Sequence, residues 1–297
     1  MELVRKRLIH LHRCRGVTRK TIRKFIRYDP TLKSIYKLTS TQVSQFFSLP
    51  HKNAVLFHSD LRSQELKNQL KRDLTSYKVI TVVDENYPFV LKTIKDAPLV
   101  LYAIGDTSLL NLDPILSVIG TRKPSREAKL KMEKYVLPLI QQNWIIVSGM
   151  ATGIDSFAHQ MALEHKGKTI AVLGSGFRHI YPKQNSALFK QIAINGLLLS
   201  EYTPNSPPER FYFPERNRII SGLSFGTLVI EATKKSGTLI TVDQALDQGR
   251  EVYAVPGSPL LKQTEGCHKM IQDGAKLVQE ADDILEDWDR IKPNWVI

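Results

Sequence analysis

The sequence predicts an α/β protein, a doubly wound and mostly parallel sheet preceded by a small helical domain. Three observations carry that expectation. From residue 115 onward, short apolar runs recur at 115–119, 144–147, 169–173, 197–199, 227–230, 251–255 and 276–278, with helical segments between them. Runs without polar alternation read as strands buried on both faces, and strands alternating with helices pair in parallel through right-handed crossovers. Residues 1–72 instead space apolar positions such as Leu3, Leu8, Leu11, Ile22, Phe25 and Ile26 at helical intervals, with breaks near Gly16, Pro30 and Pro50. The charge divides at nearly the same place: residues 1–80 carry 18 Lys/Arg against 5 Asp/Glu, whereas residues 81–297 carry 24 of each.

A domain that holds all of the formal net charge of +13, joined to a neutral one, points to a polyanionic partner. Nucleic acid comes first and an anionic membrane surface second. The length of 297 residues and the 42 % apolar composition support a sizeable core, divided between one large and one small domain. No apolar run approaches the roughly 20 residues of a membrane span. MELVRKRLIH also lacks the apolar centre of a signal peptide, so the expected location is the cytoplasm. Cys14 and Cys267 lie far apart and fit no metal-ligand spacing, which predicts neither a disulfide framework nor a metal site.

The expected domains are a basic helical one at 1–75, a connecting or sheet-extending segment at 76–105, and the sheet domain at 106–297. In the first, LHRCRGVTRKTIRKFI has the outline of two short helices joined at Gly16-Val17, an arrangement whose turn amides can meet a phosphate. The connecting segment holds two strand runs, 79–83 and 99–103, around a Pro-bracketed stretch.

Crossovers of one hand set the loops that follow the strands along one sheet edge, where open α/β sheets bind ligands. These loops read Gly120-Thr121-Arg122, then SGMATGID from Ser148 and Gly149 to Asp155, Gly174-Ser175-Gly176, Lys234-Lys235-Ser236-Gly237 and Pro256-Gly257-Ser258. Glycine beside a hydroxyl or a cation lets the backbone approach a phosphate and donate to it. A tight turn uses glycine for its own sake, so it is the repetition along one edge that predicts a phosphate-bearing ligand. The densest stretch is FYFPERNRIISGLSFGTLVIEATKKSGTLIT. It offers three aromatics (Phe211, Tyr212, Phe213), a charged turn at Arg216-Asn217-Arg218, a strand ending in Glu231, and a Lys/Ser/Gly approach to a helix. Cations at Arg122, Lys183, Arg216 and Arg218, interleaved with these rings and Tyr181, suit single-stranded nucleic acid: the cations hold phosphates and the rings stack on unpaired bases.

Other chemistry finds less support. The first loop, VIGTRKPS, has no GxGxxG, and Gly167-Lys168-Thr169 precedes a strand where a P-loop would follow one, so neither a dinucleotide cofactor nor ATP hydrolysis is expected. Asp155 reads as a helix cap and His159 as a packed residue. Glu201 and Glu231 both end strands at the ligand edge, and paired carboxylates there could serve a nucleosidase. Their expected role is to brace Arg216, Arg218 or Lys234, and no catalytic residue is predicted.

The succession VIGTR, SGMATGID, KTIAVLGSGFRHIYPKQN, GLLLSEY, FPERNRIISGLSFGTLVIEATKKSGTLIT, EVYAVPGS and EGCHKMIQDGA resembles the DprA (Smf) family, the bacterial DNA-processing proteins of natural transformation. The resemblance covers residues 80–280, and the helical start is similar to the family's sterile-alpha-motif-like (SAM-like) domain. It implies an extended Rossmann-like sheet domain without enzymatic activity. Such a protein would bind and protect incoming single-stranded DNA, load the RecA recombinase, displace single-strand-binding protein and form a homodimer. On residue match, Arg122 and Lys183 would be principal DNA contacts, with Gly120, Thr121, Ser148, Gly149, Arg216, Asn217 and Arg218 lining the pocket. Thr121 stands where the family usually has serine and keeps the hydroxyl. His268 and Ile271 would lie near the dimer interface. The alternative, an N-glycosidase of the related lysine-decarboxylase-like group, lacks that group's Pro-Gly-Gly-x-Gly-Thr loop, since the comparable region here is KKSGT. A third reading leaves the sheet domain without a ligand and the basic N-terminus alone on DNA.

Overall fold

The computed structural model describes residues 2–295. The chain divides into two compact units, Met1–Tyr87 with Pro98–Tyr102, and Pro88–Ala97 with Ala103–Ile297.

The first unit packs α1 (Glu2–Arg13), α2 (Arg19–Tyr28), α3 (Ser40–Phe47), α4 (His51–Arg62) and α5 (Gln64–Ser76) before strand β1 (Lys78–Thr81). Short polar residues start several of these helices by accepting backbone N–H groups that lack a helical partner. Thr18 accepts from Thr21 N, Ser63 accepts from Leu66 N, and Thr39 with Gln42 forms a reciprocal capping box. The core includes the buried Leu8, Leu11, Ile22, Val43, Ala54 and Phe25, and the Phe25 ring lies 4.6 Å from Phe47 and 5.3 Å from Phe57.

Gly16 turns the chain between α1 and α2 at φ +80°, and a Cβ there would stand 2.1 Å from Asn53 O. Two short helices do flank this glycine, but the turn is not open to an anion at Arg15. The Arg15 amide donates to Asp60 Oδ2 at 2.8 Å, and its guanidinium holds the same carboxylate at 2.9 and 2.7 Å. Those bonds keep the Asp60 carboxyl below its ordinary range.

In the second unit, α6 (Phe89–Lys92) precedes the end of β2 (Val100–Gly105). The seven expected strands follow as β3 (Ile115–Ile119), β4 (Ile145–Ser148), β5 (Lys168–Leu173), β6 (Leu197–Ser200), β7 (Gly226–Val229), β8 (Glu251–Ala254) and β9 (Lys276–Leu277). They lie in the order β6-β5-β4-β3-β7-β8-β9, each neighbouring pair parallel, with Ile115 opposite Ile145 and Val118 opposite Leu228 in register. Growth from β3 runs one way through β4 to β6 and the other way through β7 to β9. The fold is therefore a doubly wound, Rossmann-like sheet, and its order reverses between β3 and β7, the position where such sheets open a crevice.

The intervening helices are α7 (Ala128–Tyr135), α8 (Leu137–Gln141), α9 (Ile154–Glu164), α10 (Ser186–Asn195), α11 (Tyr212–Leu223), α12 (Thr238–Asp247), α13 (Glu265–Gln272) and α14 (Asp282–Trp295). One core cluster joins Leu116, Val118, Ile146 and Leu228 of the strands to Met132, Leu139, Ala158 and Ile284 of α7, α8, α9 and α14. Helices α11 and α12 form a separate pair, tied by Gln244 Nε2 donating to Pro214 O and Gln248 Nε2 to Arg218 O, both at 3.0 Å.

One local expectation is corrected. Arg216, Asn217 and Arg218 lie inside α11 and do not form a turn. Pro214 suggested a break, but it falls in the first turn of the helix, where an N–H has no intrahelical acceptor and its loss costs nothing. Among the described residues no helix is long and apolar enough to cross a membrane. Cys14 and Cys267 are buried free thiols, each pushed up to about 12 by desolvation.

Removing this fully buried ring has a defined expected cost. Phe25→Ala should lower the stability of the first unit by about 3–5 kcal/mol, the range for buried phenylalanine truncations. Hydrogen exchange of its slowest amides measures the loss, and a change under 1 kcal/mol would show that the Phe25 ring does not hold this core together.

Candidate nucleic-acid interface

The crevice at the reversal point is held open by backbone contacts between loops. Thr121 N donates to Glu231 O at 2.7 Å, joining the loop after β3 to the end of β7, and Ile154 N donates to Thr121 O at 3.2 Å, joining α9 to the same loop. No side chain fits between these strands of backbone: a Cβ on Gly120 would stand 2.8 Å from Glu231 O, and one on Gly153 would stand 2.4 Å from Thr121 O. Gly153 also sits at φ +84°, a conformation that favours glycine.

Two buried carboxylates brace this edge. Glu231 is fully buried and accepts from Ser125 N at 2.8 Å, Ser125 Oγ at 2.5 Å and Lys131 Nζ at 2.8 Å. Its partners are thus Ser125 and Lys131 in place of the expected Arg216, Arg218 or Lys234, because the chain after β3 folds back over the end of β7. Glu201 does meet an expected partner: both of its oxygens accept from Arg218 Nη2, at 2.9 and 2.7 Å.

Two adjoining cavities of about 370 and 880 Å³ share Arg122, Ala151, Tyr181, Phe213 and Arg216, and together make one groove. The smaller adds Lys183 and Gly174, and the larger runs past Gly120, Thr121 and Asn217 to Ser236 and Thr238 at the start of α12. Arg122 and Lys183 are exposed, and neither makes an ion pair among the described residues. The Tyr181 and Phe213 rings stand 5.4 Å apart, and Phe213 reaches its place because Gly174 has no Cβ, which would lie 2.7 Å from the ring. Phe211 is exposed and Tyr212 stacks at 3.8 Å on Tyr202, so only Phe213 of that trio lines the groove.

The floor is made by Arg216, which is 5 % exposed. Its guanidinium donates to Val172 O and through Nε to Asn217 Oδ1 at 3.1 Å. Burial lowers its basicity, and the neighbouring Asp155 restores part of it. Asp155, the single carboxylate among the lining residues, accepts weakly from Ala151 N at 3.4 Å; burial raises its pKa, opposed by Arg216 and Arg122. It lies in the first turn of α9, with Gly153 at the cap position expected for it. Gly149 makes room for this pair, because a Cβ there would stand 2.5 Å from both Arg216 Nη1 and Asp155 Oδ2. His159 is packed as expected, its Nε2 2.5 Å from Gly149 O and its Nδ1 2.6 Å from Thr169 Oγ1.

Of the residues singled out in the sequence, Gly120, Thr121, Arg122, Lys183, Arg216 and Asn217 converge on the groove. Ser148 and Arg218 do not. The Ser148 hydroxyl is fully buried and donates to Val118 O at 2.6 Å, while Arg218 is turned to Glu201 and to Glu215 O at 2.8 Å. Positions 216 and 218 are two residues apart on a helix, so their side chains leave it about 200° apart. Gly149 acts from beneath through the space it leaves. Arg210 and Lys262 line the groove without having been singled out. The first directly precedes the FYF run and was legible as a cation beside rings; the second sits in a loop whose path only the fold defines. His268 and Ile271 lie on α13, outside the groove, with His268 Nε2 3.0 Å from Gly257 O.

A family model, DNA recombination-mediator protein A, matches residues 78–289. The chain belongs to that family. It is 42 % identical over 239 residues to the DNA processing protein DprA of Bacillus subtilis, covering 76 % of this chain and 80 % of that protein. The pneumococcal DNA processing protein DprA is 43 % identical over 220 residues, 74 % of this chain and 77 % of its own. The X-ray structure of DprA from Streptococcus pneumoniae superposes with a TM-score of 0.83 at 36 % identity, covering 96 % of this chain and 97 % of the other. A Helicobacter pylori DprA structure, described for its single-stranded DNA binding mode, gives 0.64 at 28 % identity over 72 % and 96 % of the two chains. The family match takes in every groove-lining loop of this DprA-family chain and excludes most of the helical unit.

Burial lowers the His159 pKa from 6.5 to about 4. The folded protein therefore binds this proton less tightly than the unfolded chain. His159 costs nothing above pH 6.5, and stability falls as pH drops from 6.5 toward 4, by up to about 1.4 kcal/mol per unit. His12, also lowered to about 4 by burial, adds a second contribution of the same sign. His159→Gln should make the unfolding free energy, measured by denaturant titration between pH 7 and 4, fall less steeply, and an unchanged slope would show that this imidazole titrates normally.

Proposed function

We propose that the protein binds single-stranded DNA along this groove and acts on it as a recombination mediator. One observation carries the reading: cations without an ion-pair partner, Arg122 and Lys183, stand in the same open groove as the Tyr181 and Phe213 rings. Phosphates are held by cations left unneutralised, and ring faces are of use to bases that are unpaired and able to stack. Gly120 and Thr121 bring backbone and hydroxyl close to the strand, and Arg216 adds positive field from below. The described Helicobacter pylori relative supports this choice of ligand.

Family membership supports the wider role. The protein would protect incoming DNA during natural transformation and load the RecA recombinase on it in the cytoplasm, displacing single-strand-binding protein, as a homodimer with His268 and Ile271 near its interface. No bond is broken in this reading. The N-glycosidase alternative is disfavoured by Glu231, whose oxygens are already engaged by Ser125 and Lys131 away from solvent.

On single strands each phosphate contact contributes about 0.7 to the slope of log K against log salt. Arg122→Ala and Lys183→Ala should each flatten that slope by up to this amount and weaken binding to all sequences alike, measured by fluorescence anisotropy on labelled strands. Parallel lines and equal affinity would refute the groove assignment. Arg218→Ala should behave differently: it removes the arginine that both oxygens of the buried Glu201 accept from and costs about 3–5 kcal/mol of stability, while the slope for the remaining folded protein stays as in the parent. For the wider role, adding the protein to strands coated with single-strand-binding protein should shorten the lag of RecA filament formation. An unchanged lag would remove the mediator part and leave strand binding.

A further inference from the structure

The first unit carries a second basic cavity, of about 530 Å³. Leu3, Lys6, Arg7 and His10 stand at i, i+3, i+4 and i+7 on α1 and so share one face of that helix. Lys33, Tyr36 and Lys37 come from the turn around Ser34–Lys37, and Lys67 from α5. No carboxylate lines the cavity. Lys6 pairs with the exposed Glu2 at 2.5 Å and Arg7 donates to Thr31 O at 2.7 Å, but Lys33, Lys37 and Lys67 make no ion pair among the described residues.

His10 distinguishes this cavity from a patch of surface lysines. It is 8 % exposed, its Nδ1 lies 2.9 Å from Tyr36 Oη, and its Nε2 is buried with no hydrogen-bond partner among the described residues. Buried polar atoms are nearly always satisfied, and an unsatisfied one in a residue that lines a cavity marks a place where a ligand can complete it. Desolvation, with Lys67 nearby, holds the ring below its ordinary pKa, so at neutral pH it takes part as a hydrogen-bonding group and not as a charge.

We propose that this cavity holds one nucleotide of a nucleic-acid single strand, its phosphate on Lys33, Lys37 and Lys67 and its base against Leu3 and the Tyr36 ring, with a polar edge atom of the base meeting His10 Nε2. Charge complementarity favours an anion, the apolar wall favours a ring attached to it, and a cavity of this size admits a single base only when that base is unpaired. An acidic peptide would match the lysines but would leave the wall of Leu3 and Tyr36 and the imidazole nitrogen unmet. None of these residues takes part in the groove of the second unit, so the two readings stand or fall separately.

The test uses the full chain and thymidine 5′-monophosphate as probe, read by the imidazole nitrogen resonances of His10 in long-range ¹H–¹⁵N spectra, with His10→Gln assigning the signal. The nucleotide should shift the His10 Nε2 resonance saturably. The combined variant Lys33→Ala, Lys37→Ala, Lys67→Ala should weaken that response at least about tenfold, and because all three lysines are exposed its melting temperature should match the parent. Inorganic phosphate and unphosphorylated thymidine should each bind about tenfold more weakly than the nucleotide. On oligothymidylate the same variant should flatten the salt dependence by up to about 0.7, for the one phosphate the site holds, and should do so equally in an Arg122→Ala background. The proposal is overturned if the resonance does not move, if inorganic phosphate binds as tightly as the nucleotide, or if a glutamate-rich peptide outcompetes it. Loss of the Arg122 effect alone, with the His10 response intact, would count against the groove and leave this site standing.

Discussion

The groove depends on the lock between the loop after β3 and the end of β7. Parallel strands that diverge at a reversal point leave a crevice, and a crevice that binds a flexible polymer must keep its width. Here the width is set by main-chain contact, Thr121 N to Glu231 O, with Gly120 pressed against the same carbonyl. The Glu231 side chain then ties the next stretch of the β3 loop from below through Ser125 and Lys131. A buried carboxylate needs such partners to remain charged, and having them it fixes the loop that carries Arg122. Arg122 itself is left free to face outward.

The same division of labour separates the two arginines of α11. Arg216 and Arg218 are alike in type and nearly adjacent in sequence, yet one forms the floor of the groove and the other holds Glu201. The helix decides this through its period. A charge that must act on a ligand is placed where its counter-charge, Asp155, accepts only weakly from Ala151 N, whereas a charge that holds structure, Arg218, donates through one nitrogen to both oxygens of Glu201. Burial makes both arrangements strong, because low local polarisability amplifies matched and unmatched charge alike.

Charge is organised differently in the two units. The second has nearly balanced totals and achieves a basic groove by turning the carboxylates of Glu201 and Glu231 inward while Arg122 and Lys183 stay exposed. The first is basic throughout its length, and Asp60 and Asp73 are drawn to Arg15 and Arg13, leaving lysines uncompensated elsewhere on its surface. A net charge read from composition therefore describes the first unit well and conceals the site in the second.

The strands, their order of appearance and the loops that follow them were legible in the sequence, because burial on both faces writes itself as uninterrupted apolar runs and a ligand edge writes itself as glycine beside hydroxyl and cation. The seven strands fall within one residue of the apolar runs for that reason. The family was legible as well, since the order of its motifs is a property of the chain alone. What the sequence could not determine was direction. Whether Arg218 faces the groove, which partner Glu231 takes, and that Ser148 lies beneath the edge all depend on helix phase and on residues about a hundred positions away. Lys262 joins the groove, and His10 meets Tyr36, only because separate elements pack together. Tertiary structure settled these points by excluding water and filling space, and those operations act on neighbours in three dimensions, which a linear pattern does not record.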